Sequence, residues 1–158
     1  MNIERIVTHL RAENVNFSLV GGLAVALHGA VRGTIDIDLI IDHSLAQFEA
    51  CERALITAGL VPRLPVKARE VFHFREEYIA KRNLIAWSFY NPTNPLEVVD
   101  VIITHDLRKL RSEHKRLGSG TIPVLALSDL IAMKRVANRP QDLEDIKALE
   151  AIRRGKKG

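Results

Sequence analysis

The segment Thr34–Ile41 (TIDIDLII) alternates acidic and branched apolar residues in the pattern of a β-strand. Successive side chains of a strand point to opposite faces, so Asp36 and Asp38 share one face while their apolar neighbours face a core. Two adjacent carboxylates in an apolar strand repel each other, and their burial without partners is unfavourable. A divalent cation relieves this repulsion, and Mg²⁺ prefers oxygen ligands. The alternative is a surface pair at a strand end that forms salt bridges with basic side chains.

A second apolar segment also contains an acid. In Val98–Ile103 (VVDVII), Asp100 is surrounded by branched apolar residues, where a lone aspartate is unexpected on structural grounds. If this strand lies beside the first, Asp100 completes a three-carboxylate site. Such a site can hold two metal ions about 3.5–4 Å apart, the arrangement used for displacement at phosphorus. Glu97 is a competing candidate, but it points to the opposite face from Asp100.

Two glycines precede the acidic strand. Gly21 and Gly22 follow a predicted strand and precede a predicted helix. Glycines allow a backbone to approach a ligand closely, and the amide groups of a helix N-terminus suit phosphate oxygens. A tight turn explains the pair equally well. The position of the glycines shortly before the acids favours a nucleotide site.

The composition is that of one folded domain. The chain has 158 residues, of which 47% are hydrophobic and 27% charged. We expect a single domain over residues 1–158, with a core over about 1–125 and C-terminal helices over about 127–154. The single cysteine, Cys51, excludes an internal disulfide framework and a cysteine-rich zinc site.

Location and partners follow from charge and hydropathy. No apolar run approaches the roughly 18 residues of a membrane span, and the N-terminus lacks the pattern of a signal peptide. We therefore expect a cytoplasmic protein without membrane contact. The net charge of +4 fits a polyanionic partner such as a nucleoside triphosphate or RNA, or an ordinary solvated surface.

Hydrophobic periodicity and turn residues predict an α+β fold. The predicted helices are Ile3–Ala12, Leu23–Leu27, Ser44-capped to Ala58, one near Lys67–Tyr78, Ser128-capped to Ala137, and a last helix beginning at Pro140. The predicted strands are Val15–Val20, Thr34–Ile41, a hairpin of Leu84–Tyr90 with Leu96–Thr104, and Thr121–Leu125. Arg108–Gly120 is predicted to be irregular. The order indicates a mixed sheet flanked by helices, with a short C-terminal helical tail.

These motifs together resemble the nucleotidyltransferase superfamily typified by DNA polymerase β. The shared pattern is Gly21-Gly22 at a strand-to-helix turn, Asp36-x-Asp38 on the next strand, and Asp100 on a later strand. The region Val20–Ile41 is especially similar to small stand-alone bacterial members, including the nucleotidyltransferase toxins of abortive-infection and toxin–antitoxin systems. A lysine helix with Lys134 and the segment Arg139–Asp145, of the form R-x-x-D-x-x-D, resemble that group too.

The resemblance implies transfer of a nucleoside monophosphate from a nucleoside triphosphate to an acceptor hydroxyl. Asp36, Asp38 and Asp100 would bind two Mg²⁺ ions, with Mn²⁺ as an alternative, and Asp100 would also help to deprotonate the acceptor. Gly21 and Gly22 would cradle the triphosphate, Lys134 and Arg32 would neutralise it, and Asp142 would hold Lys134. The acceptor would be RNA or tRNA, a protein or a small molecule. A cognate toxin or antitoxin protein is a further expected partner.

The sequence also allows purely structural roles for some of these residues, and functions other than catalysis. Lys134 could be a solvated helix residue, and Asp142 a first-turn residue that complements the helix dipole. The chain could also be a non-catalytic nucleotide- or RNA-binding module, such as an antitoxin-like partner, or a structural domain whose acids pair with arginines. The presence of all three acids and both glycines favours an enzyme.

Overall fold

The computed structural model of the chain describes residues 3–30 and 36–157. Over these residues, helices and strands follow one another in an α+β order. The helices are α1 (Ile3–Ala12), α2 (Gly21–Leu27), α3 (Leu45–Thr57), α4 (Ala68–His73), α5 (Arg75–Arg82), α6 (Leu127–Ala137) and α7 (Pro140–Lys157). The strands are β1 (Phe17–Val20), β2 (Ile37–Ile41), β3 (Val61–Pro62), β4 (Ala86–Asn91), β5 (Asn94–Ile102), β6 (Ser112–Leu117) and β7 (Gly120–Leu125). A 3₁₀ turn spans Leu107–Lys109.

The described strands form one mixed sheet in the order β3-β4-β5-β2-β1-β7-β6. The pairs β2–β5 and β1–β7 are parallel, whereas the remaining neighbours are antiparallel. Strand β1 is buried throughout, β2 is buried except at Asp38, and alternate residues of β5 are buried. Their side chains contribute to one hydrophobic core, to which α6 and α7 also contribute through Leu130, Ile131 and Leu149. The predicted α+β fold with a mixed sheet is therefore confirmed.

Most of the predicted elements are present. Helix α1 has the predicted bounds, and the hairpin of β4 and β5 turns at Pro92-Thr93 as its turn residues indicate. The hydroxyl of Ser44 accepts a hydrogen bond from the backbone amide of Gln47 at 3.2 Å and so caps α3 as expected. Helix α3 is followed by Gly59 with φ of +95°, which suits glycine.

Three predicted elements are wrong. The helix near Lys67–Tyr78 is two helices, because Phe74 has a non-helical backbone (φ −108°, ψ 16°) that ends α4 and precedes α5. Within the segment predicted to be irregular, Ser112–Leu117 forms strand β6, a charged edge strand that pairs with β7. It escaped prediction because its stability comes from this pairing rather than from apolar residues of its own.

The third correction concerns the start of α6. Ser128 does not cap this helix, because the N-cap position is Ala126. The carboxylate of Glu113, on β6, accepts a hydrogen bond from the backbone amide of Leu127 at 3.0 Å instead. A residue 14 positions away thus satisfies the first turn, which local pattern could not reveal.

The aromatic centre of the core holds α3 on the sheet. Phe48 is fully buried, stacks on Trp87 with ring centroids 5.8 Å apart, and meets Phe72 edge-on at 5.5 Å. Phe48→Ala should therefore lower the free energy of unfolding by about 3–5 kcal/mol, because it leaves a cavity among these rings. Ile56→Ala, on the exposed side of the same helix, should change it by less than about 1 kcal/mol. Urea unfolding measures both values, and similar losses for the two variants would contradict this assignment of the core.

Candidate active site

Asp38 and Asp100 lie directly opposite each other on neighbouring parallel strands. Strand β2 pairs with β5 in a register that places Asp38 beside Asp100. On the other side of β2, Asp38 pairs with Val20, the residue before Gly21. Both carboxylates line a cleft of about 560 Å³. The parallel pairing thus brings together two acids that are 62 positions apart in the chain, as the sequence predicts.

The surroundings of Asp38 disfavour its negative charge. Burial, followed by the charges of Asp100 and Asp36, raises the pKa of Asp38 from 3.8 to about 6. Lys134 and Arg139 act in the opposite direction but do not cancel the increase. A group whose charge is this unfavourable is suited to bind a cation, because the cation removes both the repulsion and part of the burial penalty.

Asp36 lies just before β2, and its charge contributes to the raised pKa of Asp38. It does not line the cleft with Asp38 and Asp100. Within residues 3–30 and 36–157, no three acidic, histidine or cysteine side chains are already arranged as a metal site. Two of the three predicted ligands therefore meet in the structure, and the third lies beside them. Oxygen donors of this kind fit a hard divalent cation such as Mg²⁺.

Asp100 is held by a residue that the sequence analysis missed. The hydroxyl of Ser88, on β4, donates a hydrogen bond of 2.5 Å to Oδ1 of Asp100. The two residues are cross-strand partners in the β4–β5 hairpin. The hairpin register is the signal that could have identified Ser88, since it predicts which side chain of β4 lies opposite Asp100.

Gly21 allows the backbone to pass next to Asp38. It has a φ of +69°, and it lines the cleft while Gly22 is buried in the first turn of α2. A Cβ atom at position 21 would lie 2.8 Å from Cγ and 2.9 Å from Cβ of Asp38. Both the backbone conformation and the space therefore require glycine here. The pair does stand at a strand-to-helix junction, as predicted, and α2 begins at Gly21 itself.

A buried group of charges borders the same cleft, which Lys134 and Asp142 line together with the two strand acids. Nζ of Lys134 lies 3.4 Å from Oδ1 of Asp142 and 3.0 Å from Oδ2 of Asp145. The three residues are only 6%, 1% and 3% exposed, respectively. Lys134 is therefore not a solvated helix residue. A buried lysine needs such partners, because an unpaired charge at this depth would be strongly unfavourable.

Arg139 extends this group towards the cleft. Its Nε donates to Oδ2 of Asp142 at 2.7 Å, and its backbone amide donates to the same oxygen at 3.0 Å. Burial alone would raise the pKa of Asp142, but the hydrogen bonds from Arg139 outweigh burial and hold that pKa below its ordinary value. The guanidinium remains largely exposed and lines the cleft with Lys134. Asp142 thus fixes both cations, as the R-x-x-D-x-x-D pattern suggests.

The remaining candidates lie elsewhere. Arg32 falls outside the described residues. Glu97 forms an ion pair with Arg5 of α1, on the side of the sheet away from Asp100, which agrees with its predicted orientation. Cys51 is buried, which raises its pKa to about 12 and makes its thiol unsuitable as a nucleophile. His105 lines the cleft, although no sequence pattern distinguished it from the other histidines.

No helix in the described part of the chain is long and apolar enough to cross a membrane. The sequence matches no protein-family model and no curated protein.

Several solved structures resemble the chain in fold. The antibiotic-resistance factor ANT(2″)-Ia in solution matches with a TM-score of 0.62 at 12% identity, over 98% of this chain and 89% of that chain. A nucleotidyltransferase structure from Thermotoga maritima matches with a TM-score of 0.60 at 17% identity, over 92% and 88%. ANT(2″)-Ia in complex with adenylyl-2″-tobramycin matches with a TM-score of 0.60 at 12% identity, over 97% and 93%. The chain therefore has a nucleotidyltransferase-like fold, as the sequence resemblance predicts.

Proposed function

We propose that this protein is a metal-dependent nucleotidyltransferase that moves a nucleoside monophosphate from a nucleoside triphosphate to an acceptor hydroxyl. The observation that carries the proposal is one cleft lined by Asp38, Asp100 and Gly21 together with Lys134 and Arg139. Carboxylates for metal ions and cations for phosphate oxygens, lining one cleft, are the groups that phosphoryl-type transfer needs.

Asp38 and Asp100, with Asp36 beside them, would hold Mg²⁺ or Mn²⁺, in the two-ion arrangement that the sequence resemblance implies. The bound ions would supply charge neutralisation at the transferring phosphorus and at the attacking oxygen. The raised pKa of Asp38 supports this assignment, because the same crowding of negative charge that disfavours its ionised form favours a cation.

The residues of the chain would act as follows. Lys134 and Arg139 contact the negatively charged triphosphate, and Asp142 and Asp145 keep the two cations in place before the substrate arrives. The acceptor hydroxyl loses its proton to Asp100 and its oxygen attacks the α-phosphorus. The bond from that phosphorus to the oxygen that bridges to the β-phosphate breaks, and pyrophosphate leaves. Ser88 is a positioning residue, since it orients Asp100 without touching the reacting atoms.

The outer part of the cleft is apolar. Exposed side chains of Ile85 and Val136 line it together with Met133. Flat, weakly polar groups such as a nucleobase or part of an acceptor would cover this surface. ANT(2″)-Ia was solved with adenylyl-2″-tobramycin, which makes a small molecule one candidate acceptor class beside RNA and protein. We further propose a cytoplasmic enzyme, and a toxin–antitoxin role is one setting for it.

Transfer can be tested directly. The protein is incubated with each labelled nucleoside triphosphate, Mg²⁺ and total cell RNA, protein or candidate small molecules. Asp38→Asn and Asp100→Asn should each lower the rate of label transfer at least about 100-fold, because each removes a carboxylate from the reacting centre. Glu144→Gln, an exposed acid on α7, is the matched control and should keep the rate. Equal labelling by wild type and both aspartate variants would refute the proposal, whereas triphosphate binding without transfer would support the non-catalytic alternative.

The raised pKa of Asp38 predicts how the stability of the folded protein depends on pH. Because its folded pKa of about 6 exceeds the ordinary 3.8, this group stabilises the metal-free protein below that ordinary value, and the benefit is lost as the pH rises through about 6. In a chelating buffer at about pH 7.5, Asp38→Asn should therefore be more stable than wild type by at most about 3 kcal/mol. At about pH 4 the difference should nearly vanish.

Thermal unfolding of both proteins at the two pH values measures this effect. Added Mg²⁺ should raise the unfolding temperature of wild type more than that of the variant. A difference between the proteins that does not change with pH would contradict the assignment of a strained carboxylate at position 38.

The contact between Gly21 and Asp38 gives a further prediction. Gly21→Ala should lower transfer activity about 100-fold, because the new Cβ displaces the Asp38 carboxylate and small misplacements of reacting groups have effects of this size. Gly59→Ala is the control. Gly59 also has a positive φ, of +95°, but a Cβ there meets no atom within 4 Å. Rate assays and thermal unfolding should show that both variants lose stability and only Gly21→Ala loses activity. Equal activities would disprove the steric role of Gly21.

A further inference from the structure

Helix α5 presents an unusually open surface next to the cleft. None of its residues, Arg75–Arg82, is buried. The chain leaves the helix at Asn83, which lines the cleft together with Ile85. The C-terminal end of α5 therefore lies next to the cleft.

Two aromatic rings and a guanidinium form a ladder along this helix. Tyr78 and Arg82 are four residues apart on one face of α5, and Phe74 stands four residues before Tyr78, at the N-cap position of the helix. The ring centroids of Phe74 and Tyr78 are 6.4 Å apart, and Cζ of Arg82 lies 6.0 Å from the centroid of Tyr78. Phe74 is 47% exposed, which is high for a large aromatic side chain. We name these three residues the α5 ladder.

Positive charge is concentrated at the end of the ladder that meets the cleft. Lys81 and Arg82 occupy the last turn of α5, whereas its acids, Glu76 and Glu77, lie in the first turn. Basic residues in a last turn also complement the helix dipole, so they carry the argument only together with the aromatic rings. Inside the cleft, Arg139 continues the positive charge.

The cleft offers few free carboxylates that could bind a polycationic acceptor. Asp142 is occupied by Lys134 and Arg139, and Asp38 and Asp100 are assigned to metal ions under the proposed function. An acceptor that is itself anionic fits these surroundings better. One exposed aromatic ring, Phe74, and one partly buried ring, Tyr78, beside cations form a combination suited to unpaired bases and their phosphates.

We propose that the α5 ladder binds the single-stranded end of an RNA acceptor and directs its terminal hydroxyl into the cleft. Bases stack on Phe74 and Tyr78, and the phosphates contact Arg82 and Lys81. The role as acceptor site rests on the proposed function, whereas the binding of RNA by this surface does not. Paired RNA hides the faces of its bases, so the ladder discriminates against duplexes.

RNA binding is measured without catalysis, by fluorescence anisotropy of a labelled single-stranded oligoribonucleotide of about 12 nucleotides, in a chelating buffer without nucleoside triphosphate. Phe74→Ala and Tyr78→Ala should each weaken binding about 5- to 100-fold. Tyr78→Phe should retain the wild-type affinity, because it keeps the ring. Leu96→Ala removes a side chain that is 70% exposed at the far end of β5, and it should have no effect.

The outcomes separate the two proposals. Unchanged affinity in Phe74→Ala and Tyr78→Ala, or equal binding of a perfect duplex, would overturn the ladder. If Phe74→Ala and Tyr78→Ala abolished the binding of a protein partner and left RNA binding unchanged, α5 would be a protein docking surface and the proposed role of the ladder would be overturned. Ladder-dependent RNA binding without label transfer would support the ladder and remove the proposed function. Label transfer to RNA that is unchanged in Phe74→Ala and Tyr78→Ala would support the proposed function and overturn the ladder.

Discussion

The repulsion between carboxylates on neighbouring strands is the constraint around which this structure is organised. Parallel pairing of β2 with β5 places Asp38 against Asp100, and the charge of Asp36 adds to theirs. A sheet optimised only for stability would place apolar residues at these partly buried positions, since nearly every fully buried position of the two strands is apolar. The strain is therefore local, and the surrounding hydrophobic core compensates for it. Strain of this kind is characteristic of a site that binds an opposite charge.

The cleft is also bordered by a buried cation whose charge is balanced by carboxylates. Lys134 is buried among helices, where its charge would be unfavourable alone, and Asp142 and Asp145 balance it. With Arg139, the group contains two cations and two anions, so it is neutral as a whole while its cations border the cleft. Positions of this kind are fixed before a ligand binds, which reduces the reorganisation required on binding. Because α6 and α7 both contribute, the packing of the two C-terminal helices against each other decides whether the cations face the acids.

Much of the site could be predicted because its signals are local. A carboxylate in an apolar strand conflicts with its surroundings, and this conflict is visible in the sequence at Asp38 and Asp100. The residues that support them were not visible. Ser88 is one serine in a strand, and its role depends on the hairpin register. Glu113 caps α6 from strand β6, whereas the serine expected to do so is already the second residue of the helix. The side-chain contacts of the α5 ladder and the break at Phe74 before α5 were likewise visible only in the structure.

By itself, the sequence determined the alternation of helices and strands, the face of each acid along its strand, and the glycines at the junction before α2. These follow from periods of two and 3.6 residues and from backbone conformations open only to glycine. Only the tertiary structure decided that β5 pairs with β2 in the register that joins Asp38 to Asp100, that Gly21 leaves room for Asp38, and that Lys134 is buried between two carboxylates. The physical reason is that such contacts join segments far apart in the chain, so their free energies depend on packing and burial that no local pattern encodes.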